Sequence, residues 1–285
     1  MRDAPSVSVV IRTRNSATEV GRALQAVRAQ RHPSFEVILV DSQSTDGTVD
    51  IGTKYGARIV SLAPEEFTYG YALNLGCAAS RANLVALLSS DATPATAGWL
   101  EALVAPFADP SVAGSYGRQL PYPGCDPITA RDLATRYDDR PRRQVIAPFL
   151  SAANAAIRRS VWEGCRFDET SPGAEDAEWA GRVQQLGYVL TYEPEAAVHH
   201  CHFESFRQTY RRFHRESAGI PAVLPGPPTS LVGCLRDWQA RTREDWRYLL
   251  ETGAARRWFY WVPVYRLCRS LGIHRGAWHR PRVRP

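Results

Sequence analysis

Three short stretches of this chain hold side chains able to do chemistry together: Ser89-Ser90-Asp91 in "LLSSDATP" (87–94), Glu175-Asp176 in "GAEDAEWAGRV", and His199-His200-Cys201-His202 in "EPEAAVHHCHFES". An aspartate closing an apolar run is either a turn residue or a ligand for Mg2+ or Mn2+, ions that accept carboxylate oxygen and imidazole nitrogen. A Glu-Asp pair opening an amphipathic helix either serves the helix dipole or offers a general base for an attacking hydroxyl. Alternation along an extended chain sets His200 and His202 on one side and His199 and Cys201 on the other. Two imidazoles on one side can complete a metal site, or they can be a plain surface cluster. Each stretch alone is ambiguous.

The elements that must position these residues are legible in the hydrophobic pattern. "VSVVIRT" (7–13) and "FEVILVD" (35–41) are apolar runs of strand length, as suits parallel strands buried on both faces. "SATEVGRALQAVRAQ" (16–30) and "TVDIGTKYG" have helical spacing, and "ARIVSLA" reads as a third strand. A helix over 71–82 leads into a fourth strand, "NLVALLSSDATP", and another begins near "AGWLEALVAPFAD". The succession predicts an α/β fold with a doubly wound, mostly parallel mixed sheet flanked by helices. In such sheets ligands bind outside the carboxyl ends of the strands. Three polar clusters fall there: Thr13-Arg14-Asn15, Asp41-Ser42 and Ser90-Asp91.

Farther on, the stretch from about Ser115 to Arg143 is rich in Pro, Gly, Arg and Tyr, which predicts loops and a short helix over a cleft. "APFLSAANAAIRRSVWEG" predicts a strand and a helix. "GAEDAEWAGRVQQLG" predicts a helix closed by Gly187. "YVLTYEPEAAVHHCHFES" reads as a strand, a loop and a polar exit. The run "AGIPAVLPGPPTS" (218–230) predicts a hinge between a main domain, 1–217, and a helical tail, 218–285.

The chain has 285 residues, 44% of them hydrophobic, and a formal charge of +6, with Lys54 its single lysine. Arginines crowd the C-terminal third, which predicts an anionic partner, either nucleic acid or a membrane surface. Six cysteines stand singly with no C-x-x-C pair, which argues against a zinc knuckle or thioredoxin-like motif and predicts buried free thiols in a reducing cytoplasm. The start "MRDAPSVSVV" lacks the build of a signal peptide. No run of about 18 apolar residues could span a bilayer.

Taken together, the stretches resemble the family 2 glycosyltransferases of GT-A fold, in their rhamnosyltransferase-like branch. "VSVVIRTRN", "VILVDSQSTDGT", "EEFTYGYALNLGCAASRANLVALLSSDATP", "FLSAANAAIRRSVW", "GAEDAEWAGRV" and "EPEAAVHHCHFES" are similar to that family's motifs, in its order, over about residues 5–215. The resemblance implies inverting transfer of a sugar from a nucleoside diphosphate donor, dTDP- or UDP-linked, with rhamnose or another deoxy-sugar as first choice. It divides the main domain into a donor-binding half, 1–110, and an acceptor-side half, 111–217. Thr13, Arg14, Asn15, Asp41 and Ser42 fall where the family holds base and ribose, with Arg81, Ser90 and Asp91 at the phosphates.

Asp91 would bind Mg2+ or Mn2+, with His200 and then His202 as further ligands. Asp176 would be the base, supported by Glu175. Asn154 and Trp179 would line the acceptor pocket, although Trp179 equally suits an apolar core. Ser89 stands where the family's metal motif usually has a first aspartate. Asp41-Ser42 replaces its Asp-Asp or Asp-Asn, and Tyr69 and Tyr71 replace an expected His and Arg.

The resemblance further implies a hydroxyl acceptor, on a lipid-linked glycan or a secondary metabolite, and a cytoplasmic enzyme. The tail "RRWFYWVPVYRLCRSLGIHRG" (256–276) mixes aromatics with arginines, which suits the lipid interface. Its Trp258, Tyr260, Trp261 and Tyr265 could equally pack back on the protein, and Pro263 is expected to interrupt any long helix there. Two alternatives stay open. A nucleotidyltransferase would usually carry a Gly-rich phosphate loop near the N-terminus, and "IRTRNSATEV" has no such glycines. A nucleic-acid-binding protein would use the arginine-rich tail, which shows no recognisable binding signature.

Overall fold

The computed structural model describes residues 6–144, 149–219 and 230–278. The chain forms two compact units. The first comprises Met1–Gly124, Asp132–Thr170 and Glu175–Cys201, and the second Cys125–Arg131, Ser171–Ala174 and His202–Pro285.

In the first unit β1 (Val7–Thr13) leads through α1 (Ala17–Arg28) to β2 (Phe35–Asp41), and through α2 (Thr48–Lys54) to β3 (Arg58–Ser61). The chain then passes α3 (Tyr69–Ala79) to β4 (Leu84–Ser89). These four strands are parallel in the order β3-β2-β1-β4. β1 shows why its sequence is continuously apolar. Val9 and Ile11 pack with Val20, Leu24 and Val27 of α1 on one face, and Val10 packs with Leu73 and Cys77 of α3 on the other. Because the chain leaves β1 toward β2 on one side and returns to β4 on the other, a crevice opens at the carboxyl ends of β1 and β4.

Next come β5 (Thr93–Pro94), α4 (Trp99–Val104), β6 (Val112–Leu120), α5 (Pro127–Arg136), β7 (Arg142–Gln144), β8 (Asn154–Arg158), α6 (Arg159–Gly164), α7 (Glu175–Gln185) and β9 (Val189–His199). They extend the sheet in the order β4-β8-β6-β9-β5, with β7 on β9. β8 is antiparallel to β4 and β6, while β6 and β9 run parallel. The expected mixed sheet is present, and Gly187, φ 87°, follows α7 where a left-handed residue was expected.

Two expectations fail here. The stretch from about Ser115 to Arg143, read as loops and a short helix, holds the short helix α5 (Pro127–Arg136) but begins inside β6, a strand at the middle of the mixed half. Its Gly114, Ser115 and Gly117 resemble loop composition, but Gly117 is needed for packing: a Cβ there would lie 1.8 Å from the carbonyl oxygen of Ala196. The loop expected within "TYEPEAAV" is instead an irregularity inside one continuous strand. Gly117 pairs with Glu193 and Gln119 with Val198, so β9 carries extra residues at that point. Pro194 sits among them, where no ladder hydrogen bond is lost.

The second unit is helical, as the tail was expected to be: α8 (Phe206–Gly219), α9 (Leu231–Glu251) and α10 (Arg257–Trp278). Apart from Ala218, Gly219 and Ser230, the hinge expected over 218–230 lies outside the described residues. Trp261 stacks on Tyr265 with centroids 4.4 Å apart, and Ile128, Leu249, Val262 and Tyr265 form a small core. Arg266, almost fully buried, is held by Asp245 through Nε at 2.6 Å and Nη2 at 3.0 Å, and Arg131 joins the same carboxylate at 2.7 Å.

Pro263 lies inside α10 and does not end it, contrary to expectation. The carbonyl that its missing N–H strands, Phe259 O, accepts instead from the Trp246 indole at 3.0 Å. No helix among the described residues is long and apolar enough to cross a membrane. Cys77, Cys165, Cys234 and Cys268 are free thiols, whereas Cys125 and Cys201 are disulfide-bonded rather than free.

Candidate active site

Asp91 lies just beyond β4, its Oδ1 accepting from Ser89 Oγ at 2.5 Å. His200 follows β9 directly and is buried, its N–H on Leu120 O at 2.9 Å. Its Nδ1 is 2.8 Å from Gln119 Oε1, and Gln119 Nε2 donates to Ser151 Oγ at 3.0 Å. With the amide oriented to serve Ser151, its carbonyl accepts the Nδ1–H of His200. The lone pair is thereby assigned to Nε2, which lies 3.4 Å from Asp91 Oδ1. A carboxylate oxygen and an imidazole lone pair facing each other at that distance suit a shared divalent cation. A hydrogen bond on the far ring nitrogen is the usual support of a metal-bound histidine. His202, exposed, is the first residue of the second unit's main segment.

Asp176 sits in the first turn of α7 with both oxygens anchored, Oδ2 by the N–H of Ala152 and Oδ1 by that of Ala177, each at 2.8 Å. The neighbouring segment draws the three stretches together. Ser151 accepts from Gln119, which holds His200. Ala152 holds Asp176. The Ala153 carbonyl accepts the N–H of Ser89 at 3.2 Å, and Ser89 holds Asp91. Three consecutive small residues thus tie a carboxylate, an imidazole and a second carboxylate that are far apart in sequence.

Glu175 is 5% exposed and pairs with Arg12, Nη1 to Oε1 at 3.3 Å. Burial pushes its carboxyl up to about 7, the charge of Asp176 pushes the same way, and Arg12 pulls against both. Arg12 stands opposite Ser89 in the β1–β4 register. It also reaches the Tyr69 carbonyl and lies over the Tyr69 ring at 5.2 Å.

At the ends of β1 and β2 the expected donor-binding residues knit together. Thr13 Oγ1 donates to Asp41 Oδ1 at 3.0 Å, and Ser44 N donates to Asp41 Oδ2 at 2.9 Å. The N–H of Ser42 reaches Thr13 O at 3.0 Å, and Asn15 Oδ1 accepts from Thr45 N at 2.8 Å. Arg14 is exposed, and Ser90 is half-buried in the turn before Asp91. Ser42 Oγ is enclosed with no hydrogen-bond partner among the described residues. The non-glycine residues with left-handed backbone, Asn15 (φ 46°), Gln43 (φ 50°) and Ala174 (φ 60°), all stand next to site residues, where such strain concentrates.

Three expectations are corrected. Arg81 precedes β4, at the amino ends of the strands, and is bonded to Glu36 through its N–H (2.8 Å), Nε (3.1 Å) and Nη2 (3.0 Å). It is therefore remote from the crevice where phosphates would lie. Asn154 is fully buried and clamps the β6–β9 irregularity, its Nδ2 on Ala196 O at 2.8 Å and its Oδ1 taken by the Trp99 indole. Trp179 is fully buried in the main core, its indole on Cys165 O. Neither residue can line an acceptor pocket.

Sequence reasoning missed Arg12, Gln119 and Ser151. Arg12 carried a signal, as the one charge inside an apolar strand. Gln119 was hidden in a stretch that looked like loop.

Comparison with known proteins agrees with this geometry. Residues 8–165 match the model of "Glycosyl transferase family 2". The chain is 32% identical over 221 residues to the O-antigen chain rhamnosyltransferase WbaN of Salmonella anatum, covering 73% of this chain and 70% of that protein. It is 29% identical over 269 residues to the O-antigen chain rhamnosyltransferase RfbN of Salmonella typhimurium, covering 90% and 84%. Among solved structures, the mannosyltransferase PcManGT from Pyrobaculum calidifontis, in complex with GDP-Man and Mn2+, superposes with TM-score 0.65 at 20% identity, over 95% of this chain and 88% of that one. That neighbour shares the GT-A fold. The chain belongs to glycosyl transferase family 2, in its rhamnosyltransferase-like branch, and is a glycosyltransferase.

Proposed function

We propose that this enzyme transfers a sugar, rhamnose or another deoxy-sugar, from a dTDP- or UDP-linked donor to a hydroxyl acceptor with inversion. The observation that carries the reading is the convergence of Asp91, Asp176 and His200 on the single segment Ser151–Ala153. Thr13, Arg14, Asn15, Asp41 and Ser42 receive the base and ribose at the ends of β1 and β2, where Ser42 Oγ awaits a partner.

Asp91 and His200, with His202 two residues along, would hold Mg2+ or Mn2+, and a donor set of one carboxylate and two imidazoles suits Mn2+ better than Mg2+. When bound, such a cation shields the diphosphate and stabilises the charge of the leaving group. Asp176, fixed by two backbone N–H groups, takes the proton of the acceptor hydroxyl. The hydroxyl oxygen then attacks the anomeric carbon on the face away from the diphosphate, whose bond to that carbon breaks. Glu175 and Arg12 keep α7 in register with the end of β1.

The acceptor hydroxyl belongs to a lipid-linked glycan or a secondary metabolite. Contact of the helical unit with the cytoplasmic membrane surface belongs to the same reading. The nucleotidyltransferase and nucleic-acid alternatives have no support from the relatives.

Asp176→Asn keeps the shape of the side chain and one of its two acceptor oxygens, replacing the other with an NH2 group that cannot take a proton. It is expected to lower transfer by about a thousandfold while calorimetry shows nucleoside diphosphate binding nearly as in wild type. A parallel collapse of nucleotide binding would make Asp176 a structural residue and remove it as the base.

A further inference from the structure

α10 buries one side and leaves the other bare. Val262, Tyr265, Arg266, Ser270 and Gly272 face inward. On the outward side exposed Tyr260, Val264 and Trp278 and half-buried Leu267 and Leu271 follow one another along the chain at intervals of 4, 3, 4 and 7 residues, a single stripe at helical pitch. Tyr260 is 82% exposed, Val264 41% and Trp278 61%. The stripe is about 27 Å long. Exposed Arg257 and Arg275 mark its two ends, and the sequence past Trp278 continues with Arg280, Arg282 and Arg284. Beside Trp278, Leu231 of α9 lines a groove of about 440 Å³ with Ser230, His274 and Arg275. Exposed apolar side chains in such a row mark a surface with an occupant.

We propose that this face of α10 docks on an anionic bilayer surface, lying in its plane. The charge balance chooses the occupant. Among residues 230–278 the exposed charged side chains are six arginines (236, 243, 247, 256, 257 and 275) and two glutamates (244 and 251). A second copy of the chain, related by a two-fold axis, would bring the arginines at the stripe's ends, Arg257 and Arg275, against those of its partner. A layer of anionic headgroups neutralises them instead. The stripe also has the order an interface demands. Tyr260 and Trp278 at its ends suit the headgroup depth, and Val264, Leu267 and Leu271 between them suit the acyl boundary. The inference rests on the proposed transfer only for its purpose, the meeting with a lipid-linked acceptor.

Flotation of the full chain with vesicles of phosphatidylcholine, alone or mixed with phosphatidylglycerol, tests it. The chain is expected to float with the anionic vesicles and far less with the neutral ones. Tyr260→Asp with Val264→Asp should abolish flotation. Arg257→Glu with Arg275→Glu should lower it about fivefold for each arginine lost. All four residues are solvent-exposed, and thermal melts on the same samples show which variants fold as wild type. Wild type left unbound by anionic vesicles at low salt, or stripe variants floating as well as wild type, would overturn the proposal. So would stripe variants that turn a dimer into a monomer in sedimentation velocity without changing flotation, since the occupant is then a second copy. Nucleotide binding, measured on the same samples, separates the two readings. A wild-type chain that binds nucleotide but does not float sinks this inference alone, and one that floats but does not bind nucleotide sinks the transfer reading alone.

Discussion

Gln119 does two things with one amide. Its carbonyl fixes the far side of the His200 ring and its NH2 group holds Ser151, so His200, the proposed metal ligand, and the segment that holds Asp176, the proposed base, are braced by one side chain. Gln119→Leu is expected to weaken Mn2+ binding about tenfold to a hundredfold, read from the free-ion signal in electron paramagnetic resonance. Asp91→Ala should weaken it further, and Gln119→Glu, which keeps the acceptor oxygen, should recover much of it. Unchanged Mn2+ affinity in Gln119→Leu would reduce the amide to packing.

Glu175 predicts a pH effect of definite sign. Its folded carboxyl titrates at about 7 against an ordinary 4.5, so between those values the folded chain binds more protons than the unfolded one. Stability therefore falls as pH rises through that window. Thermal melts of Glu175→Gln should lack this decline, and parallel curves for the two proteins would refute the assignment. Asp91, Asp176 and His200 were legible in the sequence because their types and positions at element ends spoke for chemistry. Arg12 and Gln119 were not, because long-range pairing gives them their roles.

At the scale of elements, the parallel quartet β3-β2-β1-β4 could be read from apolar runs, because burial on both faces leaves no alternation to misread. β6 could not. Its glycines looked like loop, yet Gly117 is a contact requirement of the irregular pairing with β9. Gly117→Ala is expected to cost about 3 kcal/mol in urea unfolding and to loosen Mn2+ binding as well, since Gln119 stands two residues on. A loss within about 0.5 kcal/mol, the range of surface changes, would mean that the strands can part there cheaply. Pro263 teaches the same lesson from the other direction. Proline chemistry argues for a break, and the Trp246 indole, distant in sequence, supplies the missing donor.

At the scale of the whole molecule, order along the chain was more informative than any motif. Asp91, Asp176 and His200 could share a site only if β8 returned antiparallel beside β4 and placed Ser151–Ala153 between them, and no local propensity dictates that return. The acceptor side was misjudged for a related reason. Asn154 and Trp179 lie beside site residues in sequence, but the strand and helix carrying them turn those side chains inward.

That Ser-Ala-Ala segment has a further consequence. One short rail braces all three groups, Asp176 directly and His200 and Asp91 through Gln119 and Ser89, so a shift of that rail reaches each of them. A ligand that nudges the rail shifts them in concert, and the enzyme gains or loses competence as a unit. New acceptor preferences must then arise from surfaces that leave the rail where it is.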